Sequence, residues 1–180
     1  MSPEHLSTVA LRPLAPGDLG WVISRHGALY AQAYGWDLHF EALVARIAAQ
    51  FIERFDPACE AGWIAVRGEA AGAERLGCAF LVQARDDETD APLEGVAQLR
   101  MLLVEPAARG LGLGKQLVGC CEDFARQAGY RRIRLWTNSL LSAARGIYAA
   151  QGYRLISSEA HRSFGQDQVS ETWELDLDER

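Results

Sequence analysis

The feature that most constrains this chain is a glycine-rich turn set between a strand-like run and a helix-like run. VAQLRMLLV reads as a strand, and Pro106 ends it. Arg109-Gly110-Leu111-Gly112-Leu113-Gly114-Lys115 follows. A helix is then predicted, with Leu117, Val118, Cys121, Phe124, Ala125 and Ala128 on one face and Gly129 as its stop. Glycine lets the backbone bend sharply and approach a ligand closely. The start of a helix offers free N–H groups and a positive dipole end. Strand, glycine turn and helix start together make an anion site that suits a phosphate. Two common phosphate loops are excluded. A nucleotide P-loop needs glycine five residues before Gly114 and Ser or Thr after Lys115, where this chain has Arg109 and Gln116. The dinucleotide pattern G-x-G-x-x-G fails because Gly110, Gly112 and Gly114 are evenly spaced.

The rest of the chain orders itself around that turn. VALRPL is a first short strand, and Asp18 is the expected N-cap of a helix to about Tyr34. Gly35 and Asp37 break and restart the chain. Leu43, Val44, Ile47, Ala48, Phe51, Ile52 and Phe55 then recur at helical spacing until Asp56-Pro57. GWIAVRG and ERLGCAFLVQA read as a hairpin, and RDDETDAPLEG as a solvated turn. After the glycine turn and its helix come strand IRLWT, a helix capped by Ser139 or Ser142 and stopped by Gly152, and strands YRLISSE and ETWELDL. The predicted order is β-α-α-β-β-β-α-β-α-β-β, a mixed α/β (α+β) domain with a largely antiparallel sheet. At 180 residues the chain reads as one domain, 1–180, with its core over about 8–178.

Composition narrows the function classes. No window holds the roughly 18 apolar residues of a membrane span, and the N-terminus lacks the pattern of a secretory signal. Cysteines at 59, 78, 120 and 121 form neither a C-x-x-C pair nor a disulfide framework, so free thiols in a reducing cytoplasm are expected and no metal site is. A net charge of −6 argues against nucleic acid as a partner. Residues 100–162 run the other way, with ten basic side chains against four acidic ones. That local excess suits a polyanionic small molecule.

With the two common loops excluded, Arg109-x-x-Gly112-x-Gly114 remains. It resembles the [QR]-x-x-G-x-[GA] pyrophosphate loop of the GCN5-related N-acetyltransferase (GNAT) superfamily. The resemblance extends over Leu102-Leu103-Val104-Glu105-Pro106, IRLWTN, Ala144-Arg145-Gly146-Ile147-Tyr148 and Gly152-Tyr153, with elements in matching order from about residue 62 to 177. RHGALYAQAYGW, FEALVARIAAQF and HRSFGQD look like a subgroup found fused to winged-helix (MarR-type) regulators, of which this chain would be a free-standing version.

The resemblance implies a fold, a donor and a set of roles. The fold is the acyl-CoA acyltransferase fold, and acetyl-CoA is the acyl donor. Amides of Arg109, Gly110, Leu111, Gly112, Leu113 and Gly114 would hold its pyrophosphate. The main chain of Leu102, Leu103 and Val104 would pair with its pantetheine arm, with the amide of Leu103 or Val104 polarising the thioester carbonyl. Asn138 would touch the pantetheine, and Lys115 and Arg145 would meet phosphates. Tyr148 stands where the family's tyrosine protonates the leaving thiolate. His26, Glu41, Arg100, His161 and Glu171 are the candidates to line the acceptor cleft. The activity implied is direct acetyl transfer to a primary amine of a small molecule or protein. Homodimerisation through the late strands or N-terminal helices is common in such proteins. The competing reading is a non-catalytic acyl-CoA sensor of the same fold, against which Tyr148 counts because a sensor needs no acid.

Overall fold

A computed structural model describes residues 9–68 and 72–178. Residue 8, the expected start of the core, and residues 69–71 of the first hairpin turn lie outside them. The elements are β1 (Val9–Pro13), α1 (Asp18–Tyr34), α2 (Leu38–Arg54), β2 (Ala61–Arg67), β3 (Glu74–Arg85), β4 (Pro92–Val104), α3 (Leu113–Gln127), β5 (Arg132–Asn138), α4 (Ser142–Ala150), β6 (Arg154–Ser163) and β7 (Gln166–Asp176). A 3₁₀ turn, Pro106–Ala108, separates β4 from the glycine turn.

Local chemistry sets most of these boundaries. Gly35, at φ 71°, ends α1, and its N–H bonds Ala31 O. Asp37 caps α2 by accepting from the His39 N–H. In α2 the stripe Phe40, Val44, Ala48 and Phe51 is buried, whereas Ile52 and Phe55 are exposed. Gly129, at φ 82°, closes α3 with its N–H on Arg126 O.

Two cap assignments differ from expectation. Asp18 is the first residue of α1 and the N-cap is Gly17. The Asp18 carboxylate is fully buried and serves a different purpose. It accepts from Arg12, from Arg75 Nε at 2.7 Å and from the Ala15 N–H at 2.7 Å, tying β1, α1 and β3 together. Burial pushes its pKa up, but those hydrogen bonds outweigh burial and hold it at about 2. Neither Ser139 nor Ser142 caps α4. Leu141 holds the cap position without a side-chain bond, and the turn before it is held by Asn138, whose Oδ1 accepts from the Leu140 N–H at 3.0 Å.

The seven strands form one sheet in the order β1-β2-β3-β4-β5-β7-β6. Only β4 and β5 are parallel, joined by the crossover through α3. One apolar layer joins Val22, Leu29 and Phe51 of α1 and α2 to Ile64, Val66, Phe80 and Leu103. A second joins Leu117, Val118, Cys121 and Ala125 of α3 and Tyr148 of α4 to Ala97, Leu99, Ile133 and Leu135. Helices thus cover both faces, and the sheet between them carries the site.

Candidate active site

The sheet is open in its middle. β4 pairs with β5 only from Val96↔Arg132 to Leu99↔Leu135. Beyond that point β4 stays on β3 as far as Val104↔Gly77, and β5 stays on β7 as far as Asn138↔Ser170. The two central strands therefore part after Leu99. Met101 marks the place. It has φ 56°, rare for a residue with a side chain, and between Phe80↔Arg100 and Cys78↔Leu103 β4 carries one residue more than β3. This is a β-bulge. Cys78 donates its Sγ–H to Met101 O at 3.1 Å.

The bulge sets which amides face the opening. Glu105 N–H bonds Leu76 O across to β3 at 2.8 Å. Alternation along the strand turns the Leu103 N–H to β3 as well and leaves the Val104 N–H on the open side. Of the two amides expected to polarise a carbonyl, Val104 is the one turned to the gap. Glu105 also takes a bidentate pair from Arg25, its Oε2 accepting from Nη2 at 2.8 Å, which clasps α1 to the end of β4.

Below the opening lies the glycine turn. Gly110 and Gly112 have φ 79° and 72°, and Gly112 is the N-cap of α3. The first bond of α3 runs from Gln116 N–H to Gly112 O, so the preceding amides lie free at the helix start. Gly114 has a different reason to be glycine. A Cβ there would stand 2.6 Å from Ile147 Cδ1, so its absence lets α4 pack against α3. Arg109 and Lys115 are exposed. A phosphate-bearing acyl donor fits this set: free amides, a positive helix end and flanking cations, next to a gap between strands.

The gap widens into a cavity of about 450 Å3. Tyr148 on α4 lines it, buried among Tyr153 and Trp173 with ring centroids at 5.7 and 6.5 Å. Burial drives its pKa far above the ordinary value for a tyrosine, so its hydroxyl stays protonated. His26 and Arg100 line the same cavity. His26 donates from Nδ1 to Val22 O at 2.8 Å, which leaves Nε2 as an acceptor. Burial lowers its pKa to about 4, so the ring is neutral at neutral pH. Arg100 is half-buried. Burial lowers its pKa, Asp87 opposes that, and its Nε has no hydrogen-bond partner.

The other candidates sit elsewhere. Glu41 lies over α1, its Oε2 2.6 Å from where a Cβ on Gly27 would stand, and is not part of the cavity wall. His161 is off the wall too, with Nδ1 on Ser163 Oγ at 2.8 Å. Glu171 is buried and satisfied, accepting from Arg145 Nε at 2.8 Å and Trp173 Nε1 at 2.9 Å. The same ion pair commits Arg145, expected at a phosphate, to β7. Asn138 lines the cavity, but its side chain is engaged by Gln168 and the Leu140 N–H. Among the described residues no cluster of side chains has the makings of a metal site.

Sequence reasoning missed two parts of the site. One is the Met101 bulge, which no residue preference announces. The other is the aromatic wall of Tyr30, Trp36 and Phe40. A signal for that existed, since His26, Tyr30 and Tyr34 recur at four-residue spacing along one face of α1.

A family model, the acetyltransferase (GNAT) family, matches residues 28–153. The chain belongs to the GNAT acetyltransferase family. Its members transfer acetyl groups from acetyl-CoA, and the match includes the glycine turn, Tyr148 and the cavity wall apart from His26 and Thr172. Solved structures agree on the fold. The acetyltransferase candidate yncA of Salmonella typhimurium, solved with its cofactor acetyl-CoA, is 17% identical, with 97% of this chain and 96% of that one covered at a TM-score of 0.72. A GCN5-related N-acetyltransferase of Kribbella flavida is 19% identical, with 93% and 97% covered at 0.70. The ribosomal-protein-alanine N-acetyltransferase of Brucella melitensis is 14% identical, with 93% and 99% covered at 0.69. No curated protein matches by sequence.

Proposed function

We propose that this GNAT protein transfers the acetyl group of acetyl-CoA directly to a primary amine, of a small molecule or a protein, with Tyr148 as the acid. The observation that carries this reading is the meeting of three features: the gap between β4 and β5, the free amides of the glycine turn below it, and a protonated tyrosine on its wall. Acetyl-CoA supplies the activated acetyl group as a thioester. Gly110 to Lys115 hold its pyrophosphate through amides, and Lys115 and Arg109 add charge. The open edge of β4 at Leu102–Val104 receives the extended arm as a strand would. The amine nitrogen attacks the carbonyl carbon, which the Val104 N–H polarises. The C–S bond breaks as Tyr148 Oη gives its proton to the departing sulfur, and the proton that the nitrogen loses passes through water to restore the tyrosine. His26 Nε2, neutral and an acceptor, orients the amine. Asn138 acts through the turn it holds, and Arg145 through Glu171.

The whole chain acts as one domain, since a single sheet runs from β1 to β6. A second copy would dock on edge strand β6, where Leu155 and Ile156 are exposed, and sedimentation of the pure protein tests for the dimer. Four free thiols suit a reducing cytoplasm. The likeness to domains fused to winged-helix regulators rests on the quoted segments alone.

Thermal unfolding with acetyl-CoA, against NADH and ATP, tests the donor. At 100 times its Kd a ligand adds about 2.7 kcal/mol of stability. A shift with acetyl-CoA alone supports the reading, and no shift removes it.

A further inference from the structure

The cavity wall is short of hydrogen-bond acceptors. Three arginines line it, and two are already engaged. Arg85 donates to Asp90 O at 2.6 Å, and Arg134 reaches Glu174 Oε2 at 3.3 Å. Arg100 has neither a hydrogen bond nor an ion pair with another described residue, and its Nε is shut off from solvent. Asp87, on the same wall, acts on it only at a distance. A second donor on this wall is in the same position. Trp36 is 4% exposed and its Nε1–H is buried without a partner. Buried donors are nearly always satisfied, and a charged one left alone is costly. Arg100, a cation on this wall with no partner among the described residues, suits a ligand that brings oxygens.

The remainder of the wall excludes a purely polar ligand. Tyr30 and Phe40 stack at 4.7 Å beside Trp36, and Leu43, Val44 and Ile47 of α2 continue the surface. An acceptor for this cavity has an amine toward Tyr148, oxygens for Arg100, and an apolar body for the helices.

Resting on the acetyl-transfer reading, we infer that the acceptor is a free amino acid with an apolar or aromatic side chain, its carboxylate held by Arg100. A guanidinium matches a carboxylate in both geometry and charge. The net charge of −6 points the other way, toward a cationic amine, but it describes the outer surface and not this pocket.

The test uses matched acceptors: phenylalanine, phenylalanine amide and phenethylamine, and in parallel leucine, leucinamide and isopentylamine. Thiol release from acetyl-CoA gives kcat/KM for each. The amino acids should exceed their amides and amines by about 30-fold, as expected when one charge-assisted pair is lost. Arg100→Met should collapse that ratio to near one, and Arg100→Lys should restore part of it. The same samples are heated with acetyl-CoA. If acetyl-CoA stabilises the protein but amides or amines are used as well as the acids, this inference fails and the donor reading stands. It fails likewise if none of the six is acetylated, or if Arg100→Met keeps the preference for acids. If acetyl-CoA does not stabilise the protein, both fail together.

Discussion

The two sides of the β4–β5 gap are built by different means. The donor side, from Val104 through the glycine turn to the start of α3, is made of backbone. Its working groups are amides, and its side chains are mostly absent by design, as at Gly110, Gly112 and Gly114. The acceptor side, between α1, α2 and the middle of β4, is made of side chains: His26, Trp36 and Arg100. A backbone site serves one common ligand and is written in a short contiguous motif. A side-chain site is assembled from distant positions and is free to differ between relatives.

Three experiments would break or sharpen this contrast. The largest effect is expected at Tyr148, which belongs to neither ligand's anchoring. Tyr148→Phe keeps the ring against Tyr153 and Trp173 and removes only the hydroxyl. Steady-state kinetics should show kcat lower by roughly 10²- to 10³-fold, with the Kd of acetyl-CoA from calorimetry unchanged. A large rise in that Kd would make Tyr148 part of the donor anchorage and blur the boundary. Because burial raises its pKa, kcat should show no loss from this group as pH rises toward its ordinary value.

His26 comes next, and tests how dry the acceptor side is. Its folded pKa of about 4 lies below its ordinary value of 6.5. The unfolded chain therefore binds the proton more readily. The stability this provides is complete above pH 6.5 and is lost as pH falls through about 4. It amounts to about 3 kcal/mol. Urea unfolding across that window should show the loss in the wild type, and His26→Gln should flatten it. An equally steep curve in the variant would mean that the ring is hydrated and the cavity wet.

The smallest effect is expected at Gly112. With φ 72° at the N-cap of α3, Gly112→Val forces a β-branched residue into the left-handed region. The amides would turn from the pyrophosphate, and the Kd of acetyl-CoA should rise about 30-fold, the loss of one to two good hydrogen bonds to a charged group. kcat at saturation should hold. A fall in kcat without a change in Kd would move the turn's role from holding to chemistry.

What could be read in advance follows the same division. The glycine turn, the helix stripe of α2 and the stops at Gly35 and Gly129 are local, and each was legible from neighbouring residues. Asp18 was misread because a carboxylate before a helix suits a cap, and nothing nearby announces that Arg12 and Arg75 converge on it. Arg145 and Glu171 each matched a plausible role, yet they satisfy one another across 26 residues. Arg100 was legible as a candidate only because of where it falls. That it lacks a partner among the described residues depends on the cavity wall it shares with residues of α1, α2 and β5, far away in sequence.

The extra residue at Met101 has one more consequence. Before it, Ala97 and Leu99 face the α3 layer. After it, Leu102 and Val104 pack against that layer and Leu103 faces the other. Odd and even positions exchange faces, so β4 is two short strands spliced out of phase. A chain lacking that one residue would keep every other side chain named here and present Leu102–Val104 back to front. Enzyme and inert sheet are then separated by a count, not by chemistry: the site depends on the length of a strand as much as on what it contains.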